Sequence, residues 1–134
     1  MSDVSQTVYK LATQGYCCSQ IMIKIALDAK GEENPVLLNA MAGLCGGMHV
    51  GLCCGVLTGA ACLLSMYDKK AAAMEMIPRL VEWFQLTYNE EYGSINCREI
   101  LDNNPRNRGE RCPRMMAETF EKCRELLAEH GYTI

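Results

Sequence analysis

Nine cysteines in a chain of 134 residues are where this sequence carries its chemistry. A thiolate can hold a metal or cluster, attack a disulfide or pair oxidatively, and the local environment selects among these. Four of the nine fall where the sequence predicts a helix start. Cys18 lies in the first turn of a helix opening near Cys17, and Cys54 lies near the start of one that follows a glycine-rich turn. Cys97 comes three residues after a candidate Ser94 cap, and Cys112 is itself the candidate cap before Pro113. Unbonded N–H groups and the positive end of the helix dipole favour a thiolate at such places. A cluster held by four thiolates is negatively charged, so four helix starts meeting around it would match it electrostatically.

The other cysteines divide in two. Cys45, Cys62 and Cys123 read as small buried hydrophobes: Cys123 continues the stripe Met116, Phe120, Leu127, and Cys45 continues Leu38, Met41, Met48. Cys17 and Cys53 each adjoin a favoured cysteine, and a small error in helix phase would exchange the members of each pair. There is no Cys-x-x-Cys, so neither a thioredoxin-type pair nor a zinc-ribbon knuckle is present. His49, in the glycine turn, is read as structural or exposed rather than a ligand, and His130 as a favourable charge at a helix end. Arg106, Arg108, Arg111 and Arg114 surround Cys112; a solvated loop accounts for most of them, and lowering its pKa or offsetting cluster charge is the functional alternative. Ser19 and Thr58 are either hydrogen-bond donors to cluster sulfur or small packing residues. Trp83, Phe84, Tyr88 and Tyr92 are assigned to the core or to a dimer face.

The elements that must position these groups are all helical, with no run of alternating β-branched residues. The pattern predicts helices from Asp3 to Gln14, Cys17 to Gly31 with the buried stripe Cys18, Met22, Ile25, Ala29, and Asn34-Pro35 to about Cys45. Further helices follow from Leu52 to Tyr67, Ala71 to Tyr92 with a kink at Pro78, Ile95 to Leu101, and Cys112 to Gly131. Residues 1–134 thus form one domain, an all-α bundle of six to seven helices.

Composition narrows the class. About half the residues are apolar and 22% are charged, as in ordinary globular proteins. A net charge of -3 argues against a nucleic-acid partner. The N-terminal stretch has neither a basic n-region nor an apolar h-region, which predicts a cytoplasmic chain with reduced thiols. From Asn34 to Tyr67 there is no charged residue, and Gly47, Gly51, Gly55 and Gly59 recur every fourth position. A membrane span is rejected, because the run is broken by Gly46-Gly47, contains His49 and four cysteines, and lacks a basic flank. The glycines instead predict close approach of another backbone or of a cofactor. Together with the aromatics, they also offer a face for a homodimer.

Four segments together resemble a known family. They are Gly15-Tyr16-Cys17-Cys18-Ser19-Gln20, Cys54-Gly55-Val56-Leu57-Thr58-Gly59-Ala60, Tyr92-Gly93-Ser94-Ile95-Asn96-Cys97-Arg98-Glu99-Ile100-Leu101, and Cys112. The family is that of redox-active proteins named for a cysteine, GCAxxG, cysteine, cysteine signature. Val56 departs from it, relatives usually having alanine there. The resemblance places Cys18, Cys54, Cys97 and Cys112 at the four cysteine positions and implies an all-helical fold with a redox role. A related domain attached to a multihaem cytochrome carries an iron–sulfur cluster, so the resemblance implies an iron–sulfur cofactor, of the 2Fe–2S type, and a redox partner protein. Zinc is the lesser cofactor alternative, and a thiol–disulfide enzyme or sensor built on the same cysteines is the alternative function. Covalent haem is not expected, because Cys-x-x-Cys-His is missing.

Overall fold

The computed structural model describes residues 3–134. Met1 and Ser2, part of the N-terminal stretch read for a secretory signal, lie outside the described residues. Seven helices follow one another, and no strand occurs among the described residues. Helix α1 is Asp3–Thr13, α2 is Cys18–Lys30 and α3 is Pro35–Met41. Helix α4 is Gly55–Tyr67, and α5 runs continuously over 69–92 through a widened π turn at Ala72–Met76. A short α6, Cys97–Ile100, precedes the long α7, Arg108–Glu129.

Local signals explain most of these boundaries. Asn34 Oδ1 accepts from the N–H of Leu37 at 3.0 Å, and Pro35 occupies a first-turn position where a missing N–H costs nothing. Gly31 and Gly93 end α2 and α5 in the left-handed conformation, with φ of 66° and 77°. The π turn of α5 lies just ahead of Pro78, whose ring and missing N–H disturb the regular ladder there.

Two expectations are corrected. Helix α7 begins at Arg108, not at Cys112, so Pro113 is inside the helix. Its lead-in is a 3-10 turn, Pro105–Asn107, capped by Asn104, whose Oδ1 accepts from Arg106 N–H at 3.1 Å. That turn runs straight into α7 and supplies an earlier start than the Cys112-Pro113 pair. In α2 the buried residues are Ser19, Ile21, Met22, Ile23, Ala26 and Leu27, while Ala29 is exposed and Ile25 only partly covered. The face is rotated from the predicted stripe because α2 is covered mainly by α4 along the Ser19–Met22 side.

Helix α4 is the hub, packed between α2 and α7, and α1 closes over α7. Val56, Leu57, Ala60, Leu63 and Leu64 from α4 meet Met115, Met116, Phe120, Leu126 and Leu127 from α7 in one core. Each large side chain removed from water there contributes roughly 1.5–3 kcal/mol. Gly59 makes the α2–α4 contact possible: a Cβ on it would stand 2.8 Å from Ser19 Cα and 3.1 Å from Ser19 O. The glycine stripe is therefore used inside the chain, and among the described residues no helix is long and apolar enough to cross a membrane.

Candidate redox site

Cys18, Cys54, Cys97 and Cys112 line one cavity of about 310 Å³ at the end of the bundle. Cys18 is the first residue of α2, Cys54 caps α4, and Cys97 is the first residue of α6. Cys112 comes one turn into α7, so it lacks the helix-start position that the sequence predicts for it. A short backbone ladder brings two of the four together. Cys54 N–H donates to Ile95 O at 3.0 Å and Cys97 N–H donates to Leu52 O at 2.7 Å, around a bridge between Cys53 and Asn96. Gly55 brings α2 close as well, since a Cβ there would stand 3.7 Å from Cys18 Cβ.

Between Leu44 and α4 the chain makes an irregular turn. Gly46, Gly47, Met48 and His49 take four successive left-handed conformations, with φ from 59° to 63°. For Met48 and His49 that conformation costs roughly 1–2 kcal/mol each. It points the chain back along α6, and Gly51, also left-handed, leaves no room for a side chain beside Arg98 Cβ.

The electrostatics of the four thiols differ. Cys18 has its pKa lowered, first by a hydrogen bond from the Cys112 thiol and then by the charge of Arg108, against the opposing effect of burial. Cys112 is raised by the same hydrogen bond, because it holds the shared proton, and by burial. Burial pushes the Cys54 thiol up to about 12, with the Cys18 charge adding to it. Cys97 is raised mainly by burial, and the charge of Arg108 partly offsets this. The arrangement is one thiol inclined to ionise among three that are not. No carboxylate lines the cavity, and Arg108 is its one lining cation. Ile21, Ile100, Leu101 and Met116 form an apolar wall. Among the described residues, no three His, Cys, Asp or Glu side chains are gathered as a lone metal ion would require.

The remaining candidates take other places. Cys53 is half-buried against the core and does not line this cavity. Cys17 does line the cavity, but it is bonded to Cys45 in a disulfide. That corrects Cys45 from core hydrophobe to disulfide partner: it is buried, yet α3 stops at Met41 and the chain through Cys45 is extended, so the stripe it was to continue does not form. Cys123 is fully buried in the core, with its thiol pushed up to about 12 by burial, and Cys62 is only partly covered. His49 Nε2 is hydrogen-bonded to Ala42 O at 2.8 Å, outside the four-thiol cavity, and His130 Nε2 lies 3.5 Å from Glu75.

Of the four arginines, Arg108 faces the thiols. Arg111 donates to Ile100 O and stacks over Tyr92, and Arg114 pairs with Glu91 and donates to Tyr92 Oη at 2.7 Å. Arg106 is exposed. Thr58 Oγ1 donates to Gly55 O within its own helix, and Ser19 Oγ donates to Met41 O at 2.6 Å, so neither donates to the four sulfurs. The aromatics form a cluster in which Phe84 and Tyr88 are buried, and Tyr88 Oη donates to Glu118 at 2.7 Å. The Cys17–Cys45 pairing left no trace in the sequence, since 28 residues separate the two and no motif links them.

No curated protein and no solved structure matches the chain. Residues 16–126 match the family described as putative redox-active protein (C_GCAxxG_C_C), a span holding Cys18, Cys54, Cys97 and Cys112, and the chain belongs to that family.

Proposed function

We propose that this protein is an electron carrier that holds an iron–sulfur cluster through Cys18, Cys54, Cys97 and Cys112 and exchanges electrons with a partner protein. The observation that carries this is the meeting of four cysteines from four separate helices around one cavity. The donor set suits such a group: four free thiols, one cation and no carboxylate, in a space lined by Gly15, Gly46, Gly55 and Gly109. When bound, an iron–sulfur cluster takes up and returns electrons.

The protein's own part is binding and tuning. Cys18 gives up its proton most readily and is the natural first ligand. Arg108 offsets negative charge beside Cys97 and Cys18. The apolar wall limits water, and water access is one of the terms that set a cluster's potential.

Anaerobic purification of iron-replete protein tests this. The expected result is a brown protein with iron and acid-labile sulfide in similar amounts and visible absorbance that bleaches on reduction. Cys18→Ser and Cys112→Ser lower both contents, while Cys123→Ser, outside the cavity, leaves them unchanged. A colourless, sulfide-free protein sinks the proposal.

One observation favours a second function, thiol–disulfide chemistry between Cys18 and Cys112. The two line one cavity, and their interaction leaves Cys18 the more acidic, as an attacking thiol needs to be. Counting alkylatable Cys18 and Cys112 before and after a mild reductant decides it, since an unchanged count rules out cycling.

A further inference from the structure

The Cys17–Cys45 disulfide, with its Cα atoms 6.1 Å apart, lies beside two adjoining cavities that share Cys17, Cys97 and Arg108 in their linings. Cys17 lines the four-thiol cavity and also a second, wider one of about 700 Å³, which Cys45 lines too. The other seven cysteines are free. Arg98, Arg108 and the amides of Gln20, Asn103 and Asn104 line the wider cavity, and no carboxylate does. Glu99 lies 3.3 Å from Arg98 at the exposed edge, a pair that solvent screens.

The surroundings of the bond suit the dithiol as well as the disulfide. Gln20 Oε1 lies 3.4 Å from Cys17 Sγ, and Ser19 Oγ lies 3.0 Å from Cys45 Sγ. The Ser19 hydrogen is already given to Met41 O at 2.6 Å, so its oxygen meets Cys45 as an acceptor. A disulfide sulfur has no hydrogen to offer these oxygens, whereas a thiol does. The bond is also not the sole tie between the two segments. Ser19 Oγ to Met41 O, and Gln20 Nε2 to Leu38 O at 3.0 Å, join α2 to α3 without it.

We propose that Cys17–Cys45 is a thiol–disulfide exchange site, distinct from the four free thiols of the adjoining cavity, whose substrate is a small carboxylate-bearing thiol entering the wider cavity. The half-buried Cys17 Sγ is the sulfur open to attack, and Cys45 is the buried leaving group. An incoming thiolate forms a bond to Cys17 Sγ as the Sγ–Sγ bond breaks. Cys45 leaves as a thiolate, takes a proton from solvent and donates it as a hydrogen bond to Ser19 Oγ. A second substrate thiolate then attacks the substrate sulfur of the mixed disulfide and releases Cys17, which takes a proton in turn. The net change is one protein disulfide reduced to two thiols and two substrate thiols oxidised to one disulfide. Arg98 and Arg108 attract the substrate carboxylates.

Native protein is treated with glutathione or with cysteamine, a thiol carrying an amine and no carboxylate, at matched thiolate concentration. Samples are quenched by alkylation, and the Cys17 and Cys45 peptides are weighed. We expect both cysteines to become alkylatable through a glutathione adduct on Cys17, about fivefold faster with glutathione than with cysteamine, and Arg98→Gln to narrow that ratio. A bond that yields only after unfolding, or that opens equally fast with both thiols, overturns the proposal. Iron and sulfide contents of the same samples read the four-thiol site separately, so failure at one site is not mistaken for failure at the other.

Discussion

At the scale of single residues, burial controls the thiols as much as their neighbours do. Cys123 is fully buried in the core, and desolvation raises its thiol from 9.0 to about 12. Below pH 9 the folded and unfolded chains both hold this proton. Between 9 and 12 only the unfolded chain releases it, so folding stability falls over that window by about 1.4 kcal/mol per pH unit. Denaturant titrations between pH 8.5 and 11 should therefore show a shallower decline for Cys123→Ala than for the natural chain, on top of the cavity cost of the substitution at all pH values. An equal slope would mean that Cys123 is less well shielded than its burial shows. Cys18, only partly buried, goes the other way because of its interaction with the Cys112 thiol and the charge of Arg108.

At the scale of elements, the site depends on how closely α4 approaches α2. Gly59 faces Ser19, the residue next to Cys18, and the atoms a Cβ would meet first are backbone. Gly59→Ala should push the two helices apart and cost about 1–3 kcal/mol, the usual range for overpacking. Iron content should fall along with the melting temperature, because the displacement falls beside Cys18. At Gly93 nothing lies within 4 Å of an added Cβ, and only its φ of 77° opposes a side chain. Gly93→Ala should then lower stability modestly and leave iron content intact. Comparison of the two variants separates helix packing from turn strain.

For the whole molecule, most of the core is built from residues other than the cysteines. The α1, α2, α4 and α7 faces bury Val8, Ile23, Leu63, Phe120 and Leu126 without help from the cavity, and a chain of this length can support its own core. A variant with serine at Cys18, Cys54, Cys97 and Cys112 should keep the far-ultraviolet helical signal and a cooperative melt while losing all iron. This differs from small metal-dependent domains, which unfold without their metal. A non-cooperative melt would show instead that the four sulfurs hold the helices together.

What the sequence determined by itself was local. Asn34-Pro35, Gly31 and Gly93 mark helix ends through interactions within a turn or two, and those boundaries were legible. The same holds for Cys18, Cys54 and Cys97 at helix starts, and for the Met116, Phe120, Cys123, Leu127 face of α7. Tertiary structure decided which face of α2 is covered, how far α7 extends before Cys112, that Arg108 rather than its neighbours meets the thiols, and that Cys45 pairs with Cys17. Periodicity and capping carry information over a few residues. The meeting of side chains tens of residues apart is set by the separation of helices, and here by two glycines that let backbones touch.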